Sequence, residues 1–242
     1  MALHFLLESS SDARVGDLVS LTGAEAKHAA VVRRLRVGEE VTVGDGSGVW
    51  LSGTAEEVLP ARVDVRVTAR TGHPLPAPRL VLAQALAKGD RDELAVQAAC
   101  ELGIDEVVPW QASRSVSRWD GPKAVKGRER WASIVREAAK QAHRPWVPSV
   151  TAPVTTAQLA ARAAEQRILV LDPRAEMRLS QVVADHRDIV LVVGPEGGVS
   201  DEELTRLTEA GAERVLLGDS VLRTSTAGPA AIAVLSVALG RW

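Results

Sequence analysis

Three prolines in six residues, His73-Pro-Leu-Pro-Ala-Pro78, divide this chain into two stretches that cannot fold by the same plan. Prolines at that density break regular structure and make a stiff linker. Ahead of them lie short apolar or alternating runs at 3–7, 18–21, 41–43, 49–55 and 63–67, a two-residue rhythm that predicts β-strands. Gly44-Asp-Gly-Ser-Gly48 supplies turn chemistry between two of them. One helix interrupts, from about residue 24 to 35, stopping before Gly38. Residues 1–72 therefore predict a small β-barrel domain, 73–78 the linker, and 79–242 a second domain.

Beyond the linker, strands and helices alternate. The strands are expected at 80–86, 106–109, 168–171, 189–193 and 214–217. The helices are expected at 91–102, 124–142, 157–165, 201–209 and 227–239. Such alternation specifies an α/β domain with a parallel sheet covered on both faces. Loops at the C-terminal ends of the strands of such a sheet are where ligands bind.

Two of those loops have unusual chemistry. Gly194-Pro-Glu-Gly-Gly198 follows an apolar strand and leads into Ser200 and Glu203, a capping box that opens a helix. Glycines let backbone approach a ligand closely, and a helix start leaves N–H groups free. No lysine follows, so this is no P-loop, and Pro195 breaks the dinucleotide pattern. A ligand without phosphates fits better. Asp219, at the end of the next strand, keeps a ribose-binding dinucleotide reading open, and a plain tight turn is the bland alternative. In Leu222-Arg-Thr-Ser-Thr226 the hydroxyls are natural caps for the last helix. Arg223 beside them sets a cation at a positive helix end, against the dipole. A residue that breaks a local rule is a candidate functional residue; the alternative is a solvated loop arginine.

Net charge is −2, so a nucleic-acid partner must be sought in local patches. Residues 110–146 hold nine lysines and arginines against three acids, with tryptophans at 110, 119, 131 and 146. Cations interleaved with large aromatics suit RNA; a solvated helix face over core tryptophans is the competing reading. Lys27, His28, Arg33, Arg34 and Arg36 make a second cluster. Cys100 excludes an internal disulfide and reads as a buried structural thiol rather than a nucleophile. The five histidines lack metal-ligand spacing, so no metal is expected. No apolar run approaches ~20 residues, so no membrane partner is expected and the cytoplasm is the default location.

Taken together, the motifs resemble the RsmE family of the SPOUT superfamily, bacterial enzymes that methylate N3 of a specific uridine in 16S ribosomal RNA. The resemblance rests on Gly194–Gly198 with Ser200 and Glu203, on Leu217-Gly218 and Val221-Leu-Arg-Thr224, and on Lys88-Gly-Asp90 followed by Glu101-Leu-Gly103. It also rests on Glu137-Ala-Ala-Lys-Gln141 with Arg144 and Pro148, on residues 28–38, and on Asp45-Gly46. It implies a PUA-like RNA-binding N-terminal domain, a C-terminal domain with a trefoil knot, and a homodimer. It implies S-adenosylmethionine held by Leu171, Gly194, Pro195, Glu196, Gly197, Gly198, Leu217, Gly218, Leu222, Thr224 and Thr226. Arg223 is then the candidate catalytic residue. Lys27, His28, Arg33, Arg34, Arg114 and Arg144 are candidate contacts to 16S RNA or the small ribosomal subunit. Ser225 and Lys140 stand where the family has glutamates, and His4 stands near its usual arginine. The rival readings are another SPOUT RNA methyltransferase (ribose 2′-O or tRNA), an RNA-binding protein without activity, and the dinucleotide enzyme.

Overall fold

The computed structural model describes residues 2–183 and 185–242. It forms two compact units, 1–75 with 139–147, and 76–138 with 148–242. Residues 139–147, read from sequence as part of the second domain, thus group with the first.

In the first unit, β1 (Leu3–Leu6), β2 (Leu18–Thr22), β3 (Glu40–Gly44), β4 (Val49–Leu59) and β5 (Arg62–Gly72) make one sheet of order β1-β3-β4-β5-β2. Alternate side chains, among them Phe5, Leu21, Val41, Val43, Leu51, Val63 and Val65, turn inward as one core. The register of the long β4–β5 hairpin slips between Ser52 and Gly53 and again between Ala55 and Glu57. Such bulges increase local twist and curl a sheet. Gly53 has no alternative there, because a Cβ would lie 2.5 Å from the Arg66 carbonyl oxygen. The turn from β3 to β4 is closed by Asp45, whose Oδ1 accepts from the backbone N–H of Ser47 and Val49.

The helix expected over 24–35 does not run straight. It is α1 (Gly23–Lys27), then a π-helical stretch, His28–Val32, then Arg34 at φ 54°. The reason lies in the core. Ala26, Ala29 and Leu35 are all buried. A regular repeat of ~3.6 residues would set Leu35 about half a turn away from Ala26. The widened turn and the left-handed Arg34 bring it back.

In the second unit, β6 (Leu80–Ala85), β7 (Glu106–Trp110), β8 (Ser149–Val150), β9 (Arg167–Leu171), β10 (Ile189–Val193) and β11 (Glu213–Val215) form a wholly parallel sheet. Its order is β11-β9-β10-β6-β7-β8. The central strands are continuous apolar runs because both faces are covered. Val81, Ala83, Val108, Ile168, Val170, Val190 and Val192 pack with Leu159 of α4 (Thr156–Ala161) and with Leu204 and Leu207 of α5 (Asp201–Glu209). α2 (Arg91–Glu101) packs on α6 (Thr224–Ala238), and both also pack on β6. α3 (Pro122–Gln141) follows β7 in sequence. Cys100 is buried in α2, its thiol donating to the Val135 carbonyl, which bears out the structural reading. No helix among the described residues is long and apolar enough to cross a membrane.

Trp110 and Trp131 are core residues, and Trp119 meets Trp131 edge-on at 5.0 Å between centroids. Interleaving with cations in sequence therefore does not make Trp110 or Trp131 a stacking platform. Their rings fill the interior.

Candidate functional site

The loops that leave β9, β10 and β11 converge on one cavity of about 580 Å³. That is an ordinary size for a small-molecule site. Leu171, Asp172 and Arg174 come from the first loop; Gly194, Pro195, Glu196 and Gly198 from the second; Leu217, Gly218, Leu222, Arg223 and Thr224 from the third. This is where an open parallel sheet presents ligand sites.

Each loop is tied down by chemistry that the sequence only partly announces. The capping box of α5 forms as expected: Ser200 Oγ accepts from the Glu203 N–H, and the Glu203 carboxylate accepts from the Ser200 N–H. The same carboxylate also accepts from the Ser113 N–H and Oγ, both at 2.8 Å, and from Thr156 Oγ, at 2.8 Å. Burial acts to raise the pKa of Glu203, but these donors outweigh it and hold the group below its ordinary value. These partners lie 90 and 47 residues away, so no local motif reveals them.

Thr224 does not cap the last helix through its side chain. The helix begins three residues earlier than expected, with Arg223 at its N-cap. Thr224 is buried; its hydroxyl donates to the Gly194 carbonyl at 2.8 Å and accepts from Gln84 Nε2 at 2.9 Å. A chain of hydrogen bonds thus runs from β6 through α6 to the glycine loop. Gly194 itself must stay small, since a Cβ would lie 2.9 Å from Val199 Cγ2.

The carboxylate of Glu196 is turned toward the start of α2, where Oε1 accepts from the Lys88 N–H and from Arg91 Nη1 at 2.8 Å. Burial opposes its ionisation, but its own backbone N–H, Arg91 and Lys88 together lower its pKa. Asp172 is a buried carboxylate between Arg174 and Arg214. Arg174 reaches on to Asp201 at 2.9 Å. Neither Asp172 nor Arg174 carries a sequence signal beyond its place after a strand.

Arg223 is exposed on the cavity wall. Among the described residues its guanidinium has no hydrogen-bond or ion-pair partner. Arg114, grouped from sequence with the RNA contacts, also lines the cavity, and its Nη1 donates to the Gly197 carbonyl at 3.0 Å. Two of the expected ligand residues sit off the wall. Thr226 is exposed and does not line the cavity. A Cβ on Gly197 would meet Arg114 Cβ at 3.2 Å, so a side chain there acts on Arg114 first. Asp219, the candidate ribose acid, does not line the cavity either; it pairs with Arg178 at 3.0 Å and is largely exposed.

Lys27, Arg33 and Arg34 are exposed around the π-helical stretch, and half-buried His28 packs edge-on against Phe5. Arg144 is half-buried just after the end of α3.

The parallel sheet with its glycine-looped cavity and the curled β unit are, by the family models that match them, those of an RNA methyltransferase. The model of the RNA methyltransferase domain matches residues 73–236, and that of the RNA methyltransferase PUA domain matches 21–54. Ribosomal RNA small subunit methyltransferase E of Mycobacterium bovis is 39% identical over 100% of this chain and 94% of its own. The Bacillus subtilis protein of that name is 30% identical over 98% and 96%. The chain belongs to the ribosomal RNA small subunit methyltransferase E family. Among solved structures, the Neisseria gonorrhoeae member bound to S-adenosyl methionine superposes with a TM-score of 0.88 at 28% identity, covering 98% of both chains. A Legionella pneumophila protein in complex with the bound cofactor SAM gives 0.87 at 30% identity, again with 98% of both chains covered.

Proposed function

We propose that this protein transfers a methyl group from S-adenosylmethionine to N3 of a uridine in the 16S RNA of the small ribosomal subunit. The observation that carries the reading is Arg223, an unpartnered cation on the wall of a cavity built from backbone loops.

The cavity fits the cofactor by its donors. It offers backbone groups of Gly194, Pro195, Glu196, Gly198, Leu217, Gly218 and Leu222 for adenosine and methionine, and apolar surface from Leu171, Val193 and Leu204. It lacks the lysine of a phosphate loop, as a cofactor without phosphates requires. When bound, the cofactor supplies an electrophilic methyl on a sulfonium. Methylation at N3 requires the N3 proton to leave to solvent, and the uracil anion so formed carries negative charge on O2 and O4 until N3 takes the methyl. Arg223 orients the base and offsets that charge by donating to a carbonyl oxygen. A guanidinium stays protonated and has no free lone pair to accept a proton, so Arg223 is assigned no proton abstraction. Glu203, through Ser113 and Ser200, holds two cavity loops in register.

RNA contacts are assigned to Lys27, His28, Arg33, Arg34 and Arg144, with Arg114 on the cavity rim. Exposed Leu94 on α2 and Val237 on α6, with Val221, Leu222 and Trp242 beside α6 in sequence, support a homodimer. Light scattering that gives a monomer mass would remove that part. The cytoplasm, where such a substrate is assembled, is the location that goes with this reading. The C-terminal trefoil knot that folds the cofactor-binding loops is part of the same proposal.

The deciding experiment incubates the protein with labelled S-adenosylmethionine and small subunits lacking the modification, then identifies the labelled nucleoside by mass. Label in 3-methyluridine is expected. Label in a ribose-methylated nucleoside would replace the substrate, and no label with no cofactor binding would remove the function. Arg223→Ala is expected to lower turnover by about 100-fold or more, with cofactor affinity measured by calorimetry unchanged.

A further inference from the structure

The first unit holds a second, smaller cavity of about 110 Å³, enclosed by β1, the π-helical stretch and the C-terminal end of α3. Its polar lining is cationic or imidazole, from His4, His28, Arg33, Lys140 and His143, together with Gln141. We propose that this cavity binds one phosphate group, with His4, His143 and Arg33 as its donors.

Three observations point there. His4 is 6% exposed and its Nε2 has no hydrogen-bond partner, although Nδ1 is engaged with Thr42 Oγ at 2.9 Å. A buried polar atom without a partner costs free energy unless something fills the space beside it. Trp50 stacks flat on His4, with centroids 4.1 Å apart and planes within 6°, and fixes the orientation of that ring.

Next, His143 sits in a backbone conformation suited to glycine, at φ 52°. It follows α3, where the Arg144 N–H reaches the Ala139 carbonyl and the His143 N–H reaches Lys140. That is the Schellman closure, whose left-handed position glycine takes at least cost. A histidine held there against its backbone preference implies a use for the imidazole.

The third observation is charge of one sign. Burial, then His143, then Lys140, push the pKa of His4 down to about 4. Glu25 is paired to Lys140 at 3.0 Å. Arg33 and the two further imidazoles have no such counterpart among the described residues. An anion in the cavity relieves this crowding, and the volume admits more than a single water.

The phosphate belongs to the RNA backbone or is free inorganic phosphate. The RNA arm rests on the function proposed above; the phosphate arm stands without it. The test titrates inorganic phosphate, at constant ionic strength, into the full-length protein and into His143→Gly, following by NMR the imidazole resonances of His4 in both proteins and of His143 in the wild type. His143→Gly keeps the fold, because glycine suits that position. Saturable shifts in the wild type and about tenfold weaker binding in the variant are expected. RNA affinity measured on the same pair names the source: weakened in the variant, the phosphate is the RNA's; unchanged, it is free phosphate. Equal phosphate affinity in both proteins, or no saturable shift with either phosphate or an RNA oligonucleotide, overturns the site whether or not methyl transfer occurs.

Discussion

Glu203 concentrates much of the second unit's polar organisation in one side chain. Its two carboxylate oxygens accept from Ser113, Thr156 and Ser200, residues of three separate segments, and Trp110 Nε1 donates to the same Thr156 hydroxyl. Removing the carboxylate leaves the part-buried donors of Ser113 and Thr156 and the buried Ser200 N–H without this acceptor, so Glu203→Ala is expected to cost about 3 kcal/mol by denaturant unfolding. The sign with pH follows from the lowered pKa. A carboxyl depressed in the folded state stabilises the protein above its ordinary value of 4.5, and the contribution is lost as pH falls through the folded value. The stability gap between wild type and Glu203→Gln is therefore largest near neutrality and closes in acid. A gap that stays constant from neutrality to well below pH ~4 would mean that the charge is not what holds these loops.

At the scale of elements, the cavity loops depend on what their flanking strands and helices hand to them. Thr224 opens α6 and joins Gln84 of β6 to Gly194 after β10. Thr224→Val keeps shape but buries an unmatched amide and carbonyl. It is expected to weaken cofactor binding about tenfold by calorimetry, with roughly 1–3 kcal/mol lost in stability. Thr224→Ser, which keeps the hydroxyl, is expected to behave as wild type. Loss in both variants would point to the methyl group rather than to the hydrogen bonds. The same elements show what a sequence can disclose. The apolar runs of β6, β9 and β10 are legible because both faces of a parallel strand are buried. The Ser200 cap is legible because its partner is three residues away. The π-helical turn is not, because it answers to where Leu35 must point. Arg114 beside Gly197, and Arg214 beside Asp172, arise only once strands distant in sequence lie side by side.

For the whole molecule, a net charge of −2 conceals how the cations are used. Many of those in 110–146 are committed internally. Arg114 donates to Gly197, Arg128 to the Val150 carbonyl, Arg130 to Glu93, and Lys140 to Glu25. Arg118, Lys123 and Lys126 are exposed, with no ion pair or hydrogen bond from their side chains among the described residues. Lys27, Arg33, Arg34 and Arg36 are similarly exposed in the first unit. RNA held by such residues releases counterions, so affinity falls with salt, by a slope of about −0.7 per phosphate contact on a single strand. The protein is therefore expected to lose RNA affinity steeply with salt despite its acidic balance. Replacing Lys123 and Lys126 with glutamine flattens the slope by roughly one to two if they contact phosphates, while cofactor binding stays unchanged. The same replacement at the internally paired Arg130 is expected to leave the slope where it was. Anisotropy of a labelled RNA fragment across a salt series measures all three proteins. Equal slopes in all three would remove Lys123 and Lys126 from the RNA contacts, and a flattened slope for the Arg130 variant alone would show that its pairing with Glu93 opens when RNA binds.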